Sequence, residues 1–250
     1  MTKISHIVST DLLDLIDGRD FYMCLANIAS KNEDYCNFYK QQVEKGAFVL
    51  LDNGAAESDQ MTLDVMLSVI KKINPTEVIL NDSLSNCDET IERSLQALKF
   101  YQDNNVNCQF MFVAQGQNFS EWARCLTTFP ELSKISTIGV SKFNTSVWKE
   151  DDARLKCCEL INNLLPEKPI HLLGCHKDIR EVAKISSQCI NIRSNDTAFA
   201  QICAMSYQNI LDGERPHGEM NFIESYFSEG QKQLLKQNIK LFDNLINEEQ

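Results

Sequence analysis

The chain lacks any apolar run approaching ~18 residues, the length a helix needs to cross a membrane, so no span is expected. Its N-terminus, MTKISHIVSTDLLDLIDG, lacks the basic start, long apolar stretch and small-residue cleavage site of a signal peptide. A cytoplasmic protein is the expectation. No P-loop, G-x-G-x-x-G or G-x-S-x-G motif occurs. No C-x-x-C occurs and no Cys/His pair has zinc-finger spacing, so no metal site and no cofactor are expected. No internal repeat, low-complexity tract or interdomain linker interrupts the sequence. His6, His176 and His217 offer no triad, and His171 reads as a mid-strand core residue.

Positive charge is in deficit too. Lys and Arg number 24 against 35 Asp and Glu, a formal net charge of −11. Phosphate contacts need cations, so this balance argues against a protein that coats nucleic acid non-specifically. A local basic rim around one pocket remains compatible with it. Lys134, Lys142, Lys149, Arg154, Lys177, Arg180 and Arg193 fall in or near predicted strand-to-helix connections. They form either such a rim or scattered surface charge balanced by acids. Cysteine, by contrast, is abundant. The 10 thiols include Cys24, Cys108 and Cys189 in or beside apolar runs, and they read as free packing residues in a reducing cytosol.

What is present is a repeated unit. Four short apolar runs end in a polar residue or glycine: FVLLDNGAAE (48–57), EVILNDS (77–83), FMFVAQG (110–116) and HLLGC (171–175). Each precedes a helical pattern, which is the unit of a parallel α/β protein. Eight strands are predicted, at 5–9, 21–26, 47–52, 77–81, 108–114, 136–140, 169–174 and 189–193. Helices are predicted at 33–45, 61–72, 88–103, 119–128, 149–165, 177–187, 197–212 and 221–247, with a turn at 212–219. A length of 250 residues suits a single (β/α)8 TIM barrel over about 1–212 with a C-terminal helix. The first 20 residues fit poorly, because DLLDLI is too short for a full helix between the first two strands.

In such a barrel the carboxyl ends of the strands form one face, so Asp52, Asp82, Gln115 and Gly174 are predicted to converge. Asn53-Gly54 supplies a tight turn with positive φ, and the small residues after Asp52 leave room for a ligand. The plainer reading of Asp52 is a helix cap. Asp82 is left free of capping, since Asn86 or Asp88 can cap the next helix. Gln115 offers a donor and an acceptor to a heterocycle edge, and Gly116 permits close approach. Asp82 and Gln115 read equally well as polar loop residues facing water. Asp196, in R-S-N-D-T after the eighth strand, is either a first-turn acid or a carboxylate aimed into the barrel mouth. Paired with Asp52, it could divide nucleophilic and acid/base roles.

In order and spacing these motifs resemble the tRNA-guanine transglycosylase superfamily, and more closely its phage branch that inserts 7-deazaguanines into DNA. The resemblance spans roughly residues 47–200. LLDNGAAES stands where bacterial members carry D-S-G-G-F-Q, LNDS where they carry F-D-E, and AQG where they carry V-Q-G. IGVSK stands for V-G-G, HLLGC for L-M-G, and RSNDTAFA for the nucleophile segment D-C-V-L-P. The resemblance implies Asp196 as the nucleophile and Asp52 as the proton-shuttling partner. It implies Asp82, Gln115 and Gly116 as purine-edge readers beside Asn53 and Gly54, with Gly139, Leu173 and Gly174 lining the pocket. Lys142 and Arg193 are expected to meet nucleic-acid phosphates. The family's base-stacking aromatic falls at Ala56, leaving Phe143 or Phe21 to supply it, and Glu57 replaces a Gln. The C-x-C-x-x-C zinc site is absent.

The activity implied is exchange of guanine in nucleic acid, DNA before tRNA, for a base such as 7-cyano-7-deazaguanine. It would run through a covalent Asp glycosyl intermediate, in the host cytoplasm if the gene is a phage's, with room for a homodimer. Two alternatives stay open. One is an N-glycosidic hydrolase of a small nucleoside, which the acidic charge favours. The other is a non-catalytic barrel subunit of a transglycosylase.

Overall fold

Short apolar segments separated by capped helices fold here as eight parallel strands in one sheet. The computed structural model describes residues 1–55, 61–216 and 223–248. The strands are β1 (Lys3–His6), β2 (Phe21–Leu25), β3 (Phe48–Asp52), β4 (Glu77–Ile79), β5 (Gln109–Val113), β6 (Thr137–Ser141), β7 (Ile170–Leu173) and β8 (Ile192–Thr197). Their order, β1-β8-β7-β6-β5-β4-β3-β2, curls into a nearly closed barrel. The helices are α1 (Ala26–Ala29), α2 (Glu33–Glu44), α3 (Leu63–Ile73), α4 (Cys87–Asp103), α5 (Phe119–Thr128), α6 (Phe143–Trp148), α7 (Ala153–Leu164), α8 (Arg180–Gln188), α9 (Phe199–Met205) and α10 (Glu229–Glu248). This is the (β/α)8 architecture that the sequence pattern predicts. No helix among the described residues is long and apolar enough to cross a membrane.

Local chemistry sets the helix starts. Asn32, Thr62, Asn86 and Asn118 each accept a hydrogen bond from the backbone N–H three residues on, opening α2, α3, α4 and α5. Asn86 thereby relieves Asp82 of a capping task. All ten cysteines are free, and all but Cys108 are buried.

Several boundaries differ from expectation; β1, predicted at 5–9, runs Lys3–His6. The helix predicted over 149–165 begins only at Ala153, as α7, and a short helix that was not expected, α6, precedes it and ends where Lys149 takes a left-handed conformation at φ 53°. The helix predicted over 197–212 stops at Met205. The C-terminal helix begins at Glu229; its predicted start, with Phe222, lies outside the described residues. β8 is displaced to Ile192–Thr197, since the predicted CINIR run follows apolarity while the strand itself reads IRSNDT.

The weak first 20 residues form the barrel's seam. A 3-10 helix at Thr10–Ile16 joins β1 to β2. Across the seam the Met23 N–H donates to the Ser5 hydroxyl at 2.6 Å. Helix α10 covers β1 from outside, where a first barrel helix would lie. Asp243 accepts from His6 Nε2 at 2.9 Å and from Arg19 Nη2 at 2.6 Å, and the His6 ring meets Phe242 edge-on.

The amino end of the barrel is closed by a buried ion pair. Glu77, fully buried, accepts from Arg193 Nη2 at 2.7 Å, Thr137 Oγ1 at 2.5 Å and Ser136 Oγ at 2.8 Å. The guanidinium of Arg193 also lies over Phe48 and Phe21, 4.7 and 5.7 Å from the ring centroids. A register shift puts it there: Ile170 pairs with Ile192 but His171 with Ser194, which leaves Arg193 as an extra residue.

Removing one member of a buried ion pair strands the other, typically costing about 3–5 kcal/mol. Glu77→Gln is therefore expected to lower unfolding free energy by about 3 kcal/mol, within that range. A urea denaturation midpoint equal to the parent's would show that the pair does not hold the barrel base.

Candidate functional site

At the carboxyl end of the strands lies a cavity of about 700 Å³. Because the strands are parallel and side chains alternate, the last inward residue of each strand reaches its wall. Asp52, Asn53, Asp82, Gln115, Lys142, Leu173, Gly174 and Asp196 all line it. These residues come from segments far apart in sequence, and they divide into two opposed groups.

The first group follows β3, β4 and β5. Asp82 is buried, and both its oxygens are engaged: Oδ1 accepts from Asn53 Nδ2 at 2.9 Å and Oδ2 from Gln115 Nε2 at 2.6 Å. Asn53 Nδ2 also donates to the Leu80 carbonyl at 2.7 Å, which fixes its plane. Gln115 Oε1 accepts from the Ser85 N–H at 3.3 Å. Burial pushes the Asp82 carboxyl above its ordinary value, against the lowering effect of the Asn53 and Gln115 hydrogen bonds. Asp52 closes this wall, accepting from the Gly54 N–H at 3.1 Å, with Gly54 at φ +75° as the Asn-Gly turn requires. Ala56 and Glu57 lie outside the described residues.

The second group comes from β6, β7 and β8. Asp196 is the penultimate residue of β8 rather than the first turn of a helix. Its Oδ1 accepts from the Gly174 N–H at 2.9 Å and from His171 Nε2 at 3.1 Å. Gly174 has φ +70°, and Lys142 crosses so close that a Cβ there would sit 2.6 Å from Lys142 Cδ. Arg154, fully buried with Glu181 as its ion partner, donates to the Gly174 carbonyl at 3.1 Å and fixes this turn from behind.

Sequence reasoning missed His171. It faces inward in register with Ser194, and its Nδ1 lies 2.8 Å from Ser194 Oγ. Arg193 Nε donates to that same oxygen at 3.2 Å. The Asp196 carboxylate oxygen accepts, so the ring proton sits on Nε2, and in the neutral ring Nδ1 then accepts from the Ser194 hydroxyl. The clue was periodicity: His171 lies two residues before Leu173, on the inward face.

Other expectations are corrected by position. Arg193 lies at the opposite end of the barrel, bonded to Glu77, because the β8 bulge turns it inward there. Phe21, the first residue of β2, packs on Phe48 at that same end, whereas Phe143 does line the cavity. Gly116 packs against α5, where a Cβ would meet the Trp122 backbone nitrogen at 2.4 Å. Gly139 lies under Val113 and Leu173, leaving the axis open for their side chains. Of the basic rim, Lys142 alone reaches the cavity wall. Lys134 and Arg180 pair with Glu131 and Asp178, Arg154 is buried, and Lys149 and Lys177 face solvent.

Among the described residues no three His, Cys, Asp or Glu are grouped as a metal ion would need. What the residues define is a barrel cavity with a hydrogen-bonded carboxylate on each of two opposed walls. Comparison of the chain with protein-family models and with curated proteins finds no match.

Burial lowers His171 below its ordinary value of 6.5, with Asp196 opposing. The unfolded chain therefore binds this proton first, and stability present above about pH 6.5 is lost as the pH falls. Nitrogen-15 NMR at pH 7 is expected to find His171 neutral with its proton on Nε2. A doubly protonated ring, or the Nδ1 tautomer, would contradict the hydrogen-bond direction deduced above.

Proposed function

We propose that this protein is a base-exchange transglycosylase. It replaces guanine in nucleic acid, DNA before tRNA, with a 7-deazaguanine such as 7-cyano-7-deazaguanine. One observation carries the reading: a carboxylate held by two amides faces a second carboxylate with one oxygen fully hydrogen-bonded, across one nucleoside-sized cavity. Guanine presents two adjacent donors, its ring N–H and exocyclic amine, and Asp82 presents the complementary acceptor. Leu25, Ile79, Val113 and Phe143 supply apolar surface for a heterocycle.

The chemistry needs no oxidant and no water. A carboxylate oxygen of Asp196 attacks the anomeric carbon, forming a C–O bond as the C–N bond to guanine breaks. The electron pair leaves on the guanine nitrogen, which takes a proton from Asp52. The incoming 7-deazaguanine gives its ring proton back to Asp52, attacks the same carbon and releases the Asp196 carboxylate. His171 and Gly174 hold one oxygen of Asp196, so the other is the free nucleophile. A base in duplex DNA must be flipped to reach such a cavity. Water must stay out, or exchange becomes hydrolysis.

The net charge of −11 favours a second reading, hydrolysis of a small nucleoside by the same acids. A non-catalytic subunit is disfavoured by the presence of both Asp52 and Asp196 on the cavity wall.

Incubation with radiolabelled guanine and either DNA or tRNA is expected to place label in DNA. Release of free guanine without incorporation would identify the hydrolase. Asp196→Asn should fold, bind base and form no covalent adduct. Asp52→Asn should retain adduct while slowing turnover ~10²–10⁴-fold, as loss of proton transfer typically does. The reverse pattern would exchange the two roles. Because Asp82 is shifted upward and must be ionised to accept, guanine affinity should fall with acidification at a pH above the ordinary carboxylate range. Affinity that is flat down to pH 4 would remove Asp82 from base reading.

A further inference from the structure

Six of the seven arginines are ion-paired: Arg19, Arg93, Arg124, Arg154, Arg180 and Arg193. The seventh, Arg215, makes no ion pair among the described residues, yet it lines the cavity. Its Nε is buried without a hydrogen-bond partner. Leaving a buried donor unsatisfied is costly unless a ligand completes it.

Lys142 repeats the pattern on the same wall. It is half-buried, and its ammonium has no carboxylate within ion-pair distance among the described residues. The other lysines without a carboxylate or carbonyl partner are exposed to water, as Lys31, Lys149 and Lys177 are. Desolvation presses the Lys142 amine downward, Asp196 opposes this, and Arg215 adds to it. Two cations that repel each other are therefore held in one partly dry cavity. Asp196 lies on the same cavity wall, but neither cation has a carboxylate within ion-pair distance among the described residues, so the pair can take an anion from a ligand.

We infer that Lys142 and Arg215 form the binding site for the phosphodiester group attached to the sugar that Asp196 attacks. The inference rests on the assignment of Asp196 above. Lys142 crosses Gly174, whose N–H holds Asp196, so an anion at Lys142 lies beside the attacked sugar. A guanidinium is suited to two phosphate oxygens and an ammonium to a third. The free base carries no such group. The site therefore selects a nucleotide in a strand over a nucleoside, and it takes the phosphate-holding role first expected of Arg193.

The test uses the full chain and two short single-stranded DNA oligonucleotides with one guanine each. One is unmodified. The other carries a single neutral methylphosphonate on the 5′ side of that guanine. The unmodified strand is expected to bind at least tenfold more tightly. Arg215→Gln and Lys142→Met should each erase most of that difference and leave guanine affinity unchanged. They should also make the salt slope of binding shallower by about one phosphate contact. Arg215→Lys should restore part of it, and circular dichroism melts would identify any variant that fails to fold. Equal binding of the two strands by the parent protein would overturn the inference. So would variants that weaken guanine binding as much as strand binding, since the cations would then act only as charge partners of the carboxylates. A ribo-oligonucleotide run in parallel tells RNA from DNA as the source of the phosphate. A strand preference without base exchange would keep the phosphate site and reject the transglycosylase. Base exchange without a strand preference would do the opposite.

Discussion

One carboxylate oxygen, Oδ1 of Asp196, accepts two hydrogen bonds from a single neighbouring strand and the turn after it. His171 is within β7 and Gly174 follows it, while Asp196 sits on β8. The parallel ladder between β7 and β8 thus sets the orientation of the group proposed to attack. A carboxylate held this way loses rotational freedom before substrate arrives. That is preorganisation, and it keeps the second oxygen on the cavity side.

The hold continues down the barrel axis. His171 leans on Ser194, Ser194 accepts from Arg193, and Arg193 pairs with Glu77 at the amino end. Each link uses a group that a purely apolar interior would not contain. Buried polar chains of this kind weaken a protein when half satisfied and rigidify it when complete. Here the two ends differ in solvent contact. Glu77 is sealed, whereas Asp196 opens on the cavity. The bulge at Ile170/His171 lets both ends share one strand, since it turns Arg193 inward without moving Ser194 and Asp196 off the inner face.

The barrel was legible because its strands are apolar and its helices carry caps. β3, β5 and β6 follow Val, Phe, Met and Ile runs, and their observed ends lie within one residue of the expected ones. β8 was misplaced for the opposite reason. Ser194, Asn195, Asp196 and Thr197 pair as strand although Asn and Asp disfavour it, because neighbouring strands supply the ladder. The convergence of Asp52, Asp82, Gln115, Gly174 and Asp196 could be read from parallel topology alone. The destination of Arg193 could not, since a bulge leaves no mark in composition. Nor could His171 be separated from a core residue without knowing that Ser194 and Asp196 flank it on the next strand. Arg215 escaped notice because it lies within the predicted turn, where a lone arginine reads as solvated.

The charge pattern bears on how a polymer reaches such a site. Over the whole chain, acids outnumber bases by 11, which opposes approach of a polyanion at long range. At physiological salt, however, fields are screened beyond about 8 Å. The cations of the cavity therefore act only on a phosphate already at the wall. A site of this design gains little from electrostatic steering and much from contact. If the proposed function holds, it would favour a strand whose guanine is already unstacked, because the base would enter between Asp82 and Asp196 before its phosphate could meet Lys142 and Arg215. On the proposed reading, the local cations would retain the one nucleotide that has entered.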